Sequence, residues 1–105
     1  MRTFNHIGIV TNDTKENASL NADLGIWLTD FSKSPNKIEF LKFIDGSRMP
    51  ELVQKVTHIA YEVPCLADEL ANAKVLFGPY VCNERLTIAF IEEEGIPLEL
   101  MEFKS

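Results

Sequence analysis

The sequence predicts an α+β fold assembled from two similar modules. Three observations predict it. "HIGIV" at residues 6–10 and "HIAYEV" at 58–63 share an H-I-[GA]-[IY] frame and hold both histidines of the chain, His6 and His58, as an internal repeat would. In each half a strand pattern leads into a helix-like stretch and then further strands, so the order reads βαββ(β)–βαβββ. The length, 105 residues, suits one domain sharing one core. The halves divide at residues 1–54, a first module with its connector, and 55–105, a second.

Taken in order, residues 3–11 alternate as a strand, with Phe4, His6, Gly8 and Val10 on one face and Asn5, Ile7, Ile9 and Thr11 on the other. "NDTKENASLNADLG" predicts a helix: Asp13 and Glu16 resemble a capping box, Leu20 and Leu24 form a thin apolar stripe, and Gly25 suits a stop. "IWLTDF" and "KIEFLKFI" read as strands joined by the turn-like "SKSPN". "DGSRMPELVQK" is a connector with one helical turn at "PELVQ". The second half runs from strand "VTHIAYEV" through a short helix, "LADELANAK", to strands "VLFGPYV", "RLTIAFIE" and "IPLELMEF". On the leading strands the histidine face also carries Gly8, Ala60 and Glu62, and the small Gly8 and Ala60 leave room for an open cleft.

Ten basic against sixteen acidic residues give a net charge of −6. The basic residues are scattered, which argues against nucleic acid as a partner. No apolar run reaches the length of a membrane span. The strand-like pattern begins at once, without the basic, apolar and cleavage regions of a leader, so a cytoplasmic protein with Cys65 and Cys82 as free thiols is expected.

Imidazole nitrogens with carboxylate oxygens suit a divalent first-row metal such as Zn, Ni, Co, Mn or Fe. If the leading strands lie side by side, His6 and His58 point into one cleft and each half should add a carboxylate. Glu99 in "PLELMEF" shares a face with Pro97, Met101 and Phe103, where an unpaired carboxylate is costly to bury. In the first half the candidates are Glu39 in "KIEFLKF" and Glu51 in "MPEL". Glu39 is preferred, because Pro50 and its neighbours read better as a connector. Glu62 shares the histidine face. Glu102 falls opposite Glu99 and is read as solvated.

The paired modules, "HIGIV" and "HIAYEV", Leu24-Gly25 and the terminal "GIPLELME" together resemble the vicinal oxygen chelate superfamily, which includes glyoxalase I, methylmalonyl-CoA epimerase, extradiol dioxygenases, fosfomycin-resistance proteins and bleomycin-binding proteins. "KIEFLKFIDGSRMPELVQKVTHIAYEV" is most similar to the epimerase-like branch. The resemblance covers essentially the whole chain. It implies a half-open, barrel-like mixed sheet with helices outside and a homodimer; the first module departs from the pattern, one strand short, with room for two strands after its helix where the family has three. It also implies a metal held by His6, Glu39, His58 and Glu99, acting as a Lewis acid on a small carbonyl or carboxylate substrate. The isomerase or lyase reaction it implies needs a base to move the proton, for which Glu62 is the candidate. The alternative it offers is a metal-free protein of the bleomycin-binding type, which sequesters a ligand in an acidic dimer groove.

Overall fold

The computed structural model of the protein describes residues 1–104. Eight strands form one mixed sheet: β1 (Thr3–Val10), β2 (Ser19–Asn21), β3 (Ile26–Leu28), β4 (Ile38–Phe43), β5 (His58–Glu62), β6 (Lys74–Val81), β7 (Leu86–Glu93) and β8 (Ile96–Phe103). Their order is β2-β3-β4-β1-β5-β8-β7-β6. Each half therefore repeats one arrangement, with first and last strands parallel neighbours and the two leading strands meeting antiparallel at the centre. The sheet curls into a half-barrel, the α+β architecture read from the sequence. Only two short helices accompany it, α1 (Glu51–Lys55) in the connector and α2 (Leu66–Leu70) in the second half.

The first half departs from expectation in one instructive way. No helix forms between Asp13 and Gly25; turns and β2 occupy that stretch. What the first module lacks is its helix, and its four strands are complete. The cause is local. Thr11 Oγ1 accepts from the Asp13 N–H, Asn21 Oδ1 accepts from the Leu24 N–H at 3.0 Å, and Asn17 takes a left-handed φ of 67°. Short polar side chains that bond nearby backbone compete with a helix, and two leucines are too few apolar anchors to outweigh them. Leu20 instead pairs with Trp27 across the β2–β3 hairpin.

Two apolar clusters sandwich the sheet. Leu24, Ile26, Leu41, Met49, Val53, Ala60, Ile88, Phe90 and Met101 fill the concave side. Val63, Leu66, Ala89, Ile91, Leu98 and Leu100 pack on the convex side around α2. Alternation along β7 and β8 sends neighbours to opposite clusters. Glu102, expected to be solvated, instead accepts from the Leu66 N–H at 2.6 Å and so satisfies a free donor in the first turn of α2. Glu94 and Gly95, both with positive φ, make the two-residue β7–β8 turn, the twist that a tight hairpin requires. Across the mouth of the curl, Tyr80 on β6 donates to Asp23 at 2.7 Å, and Arg48 pairs with the same carboxylate at 3.1 Å. Among the described residues no helix is long and apolar enough to cross a membrane.

Candidate metal centre

The strand register alone explains how four distant residues meet. On β1 and β5, His6 lies opposite Ala60 and Gly8 opposite His58. On the outer neighbours, Gly8 lies beside Glu39 of β4, and Ala60 beside Glu99 of β8. Two rows cross the sheet, Glu39–Gly8–His58 and His6–Ala60–Glu99. Residues in register on adjacent strands share a face, so all four polar side chains stand on the concave side. A small residue at the middle of each row leaves space for an imidazole to lean inward.

At Gly8 this space is required. A Cβ there would overlap Cε1, Nε2 and Nδ1 of the His58 ring. His58 Nε2 lies 3.1 Å from Glu99 Oε1, and His6 Nε2 lies 3.4 Å from both Glu39 Oε1 and Glu99 Oε1. Both rings are buried, His6 stacked on Phe31 at 4.2 Å between centroids and His58 edge-on to Phe90 at 5.1 Å. Phe31 reaches this position from a short 3₁₀ turn, Phe31–Lys33, capped by Asp30, rather than from the strand that "IWLTDF" suggests.

The electrostatics follow from burial and pairing. Burial by itself would lower the His6 pKa, but Glu39 and Glu99 outweigh it and raise it to about 9. Burial pushes the Glu99 carboxyl up, yet the bonds and charges of His58 and His6 prevail and hold it well below the usual carboxylate range. Opposed shifts at a buried imidazole, His6, and a buried carboxylate, Glu99, mark this cluster as a candidate functional site.

The donor set fits a divalent ion on three counts. One ligand atom from each of His6, Glu39, His58 and Glu99 lies within 4.8 Å of all the others. The observed 3.1 and 3.4 Å contacts fall within the donor separations of about 2.8–3.6 Å that bonds of roughly 2.0–2.2 Å to a common ion would produce at angles of about 90–110°. His6 Nε2 is buried, makes no aligned hydrogen bond to the carboxylates 3.4 Å away, and so has no competing partner once it gives up its proton to an ion. Two carboxylates would also neutralise a divalent charge.

Glu51 is elsewhere, exposed on α1 and paired with Lys55 at 2.6 Å. Glu62 stands behind His6: its Oε2 accepts from Asn5 Nδ2 at 2.8 Å, and Asn5 Oδ1 bonds His6 Nδ1 at 2.6 Å. Asn5 was not legible as a site residue, because strict alternation puts it on the far face from His6. Above the cluster lies a cavity of about 180 Å³, bounded by apolar side chains including Leu28, Phe31, Leu41, Ile88 and Phe90, and by Cys82. Burial, together with the Glu99 and Glu39 charges, pushes the Cys82 thiol up to about 11.

Comparison with known proteins speaks to the fold. No family model and no curated protein matches the sequence. Among solved structures, the chain is similar to the hypothetical protein BH1468 from Bacillus halodurans C-125, with 19% identity over 99% of this chain and 96% of that one and a TM-score of 0.65. At that identity the likeness speaks to the fold alone. The possible metal-binding group rests on this chain's own residues.

Proposed function

We propose that this protein is a divalent-metal enzyme of the glyoxalase or epimerase type, a member of the vicinal oxygen chelate superfamily. Its substrate in this reading is a small carbonyl or carboxylate compound. The single observation that carries the reading is the convergence of His6, Glu39, His58 and Glu99 against an apolar cavity. When bound, a divalent ion there supplies Lewis acidity toward a substrate oxygen.

The chain's own residues set the other terms. A cavity of about 180 Å³ is close to the roughly 150 Å³ that accepts benzene, and below the roughly 300–1,000 Å³ of sites for drug-sized ligands. No lysine or arginine lines it. The part of the substrate that enters is therefore compact and apolar, and any phosphate or other polyanionic tail stays outside. Cys82 keeps its proton at neutral pH and presents a neutral thiol to the cavity. Leu20 on edge strand β2 and Val75 and Val81 on edge strand β6 are exposed, which supports the homodimer as part of the same proposal.

The test is metal content of protein purified under metal-replete conditions. A stoichiometric divalent ion that disappears in His6→Ala and His58→Ala supports the enzyme. Native protein that takes up none favours the metal-free, ligand-sequestering alternative, with charged His6 between Glu39 and Glu99 accounting for the cluster. Acyl-CoA thioesters, glutathione hemithioacetals and fosfomycin form the first substrate panel.

A further inference from the structure

We infer that Glu62 and Asn5 are positioning residues that choose which nitrogen of His6 faces the metal centre. The inference starts from backbone. Phe4 is in register with Tyr61, and His6 with Ala60, so Asn5 is an extra residue in β1. In a regular strand Asn5 and His6 would point to opposite faces; a bulge re-aims a side chain. It also separates Phe4 from the histidine face, to which regular alternation assigns it. Here the bulge sets Asn5 between the His6 ring and Glu62, which shares a face with His58 and Ala60 on β5.

The hydrogen bonds then admit one direction. A carboxylate is an acceptor only, so Glu62 Oε2, 2.8 Å away, takes the amide N–H of Asn5. The Asn5 carbonyl oxygen is left facing His6 Nδ1 at 2.6 Å. An oxygen there cannot donate, so Nδ1 must carry a proton. Once the ring is neutral its lone pair resides on Nε2, the buried nitrogen 3.4 Å from Glu39 and from Glu99. Without Glu62 the Asn5 amide is free to rotate. Its N–H₂ could then face Nδ1 and transfer the lone pair to the wrong side of the ring.

His58 has no such brace. Its Nδ1 is buried without a partner, and β5 shows no bulge against β8. The arrangement is thus specific to one of the two imidazoles, as expected of a device added to the repeat. Glu62 acts at a distance here: its carboxylate is turned to Asn5, with Asn5 and the His6 ring between it and the cavity.

The metal half of this inference rests on the function proposed above, while the proton half does not, and the experiment separates them. In ¹H–¹⁵N spectra of the metal-free protein at pH 10, where the His6 ring is neutral, His6 should show a protected Nδ1–H signal in wild type and Glu62→Gln, and lose it in Asn5→Leu. Zinc affinity, read by chelator competition, should fall about 10–100-fold in Asn5→Leu and in Glu62→Leu, yet stay within about threefold in Glu62→Gln, which keeps an acceptor oxygen. The double variant Asn5→Leu/Glu62→Leu should be no worse than Asn5→Leu, because Glu62 acts only through Asn5. Multiplying losses in the double variant, or an unchanged Nδ1–H signal in Asn5→Leu, overturns the inference. Should Asn5→Leu fail to fold, the contrast between Glu62→Leu and Glu62→Gln decides. Should wild type bind no zinc, the proposed function fails and the Nδ1–H signal alone decides.

Discussion

The ring of His58 occupies the space that a side chain on Gly8 would fill. The two residues are cross-strand partners, so the missing Cβ acts as a receptacle for an imidazole.

Gly8→Ala should therefore expel His58 from the cluster. The expected result is loss of most bound metal and a destabilisation of about 1–3 kcal/mol, the usual cost of overpacking a filled core. Metal analysis and denaturant melts of the variant check this. Full metal occupancy in Gly8→Ala would contradict the placement of the ring.

Removing ligands should separate Glu39 from Glu51. His6→Ala, His58→Ala, Glu39→Gln and Glu99→Gln should each abolish stoichiometric metal, whereas Glu51→Gln, which breaks only the exposed pair with Lys55, should leave it intact. Metal-free His6→Ala should also be less stable than wild type, because Glu99 is buried and breaking a buried pair costs about 3–5 kcal/mol. Calorimetry of the metal-free proteins would show it. Metal retained in Glu39→Gln but lost in Glu51→Gln would reassign the first-half ligand.

The pH dependence should differ between the metal-free and loaded forms. His6 has a folded pKa of about 9 against an ordinary 6.5. Its stabilising contribution is full below pH 6.5 and is lost as pH rises to about 9. Glu99 is shifted down from 4.5, so its contribution is full above pH 4.5 and is lost as pH falls below that value. These two groups favour the metal-free fold most between pH 4.5 and 6.5. Metal binding must displace the His6 proton, so affinity should rise about tenfold per pH unit from 6.5 toward 9. Thermal melts and metal titrations across pH 4–10 test both signs. A metal-free Tm that climbs from pH 6 to 9 would refute the first.

Cys82 should be a slow nucleophile: the residue is exposed overall, but it lines the cavity that Glu39 and Glu99 also line. With its thiol moved from 9.0 to about 11, the reactive thiolate at pH 8 is about a hundredfold scarcer than at an ordinary cysteine. Labelling with iodoacetamide, followed by peptide mass mapping, should reflect that deficit against an unfolded control. Equal rates would mean that the Cys82 thiol is neither shielded from water nor held near the Glu99 and Glu39 charges.

Much of the site was legible in the residues, and what was not has definite causes. His6 and His58 stood out because an imidazole is rare in an apolar strand and the frame around it recurs. Gly8 and Ala60 were visible as small residues beside them. Glu39 and Glu51 stayed open as alternatives until the register of β4 placed Glu39 beside Gly8. Asn5 was hidden by a bulge and Phe31 by a 3₁₀ turn, both departures from regular alternation. The stretch 13–25 misled because a capping pattern with two leucines resembles a helix start, while Thr11 just before it and Asn21 within it accept from nearby backbone N–H groups instead.

By itself, the amino-acid order determined the alternation of each strand, the duplication and the donor atoms on offer, since these depend on neighbours within a few residues. Only the tertiary structure decided that β1 and β5 meet antiparallel, which parks each histidine over the other strand's small residue. It also decided which carboxylates join them and which way the His6 ring faces. Such choices arise from pairings between segments up to ninety-three residues apart, the separation of His6 from Glu99, and no local preference encodes them.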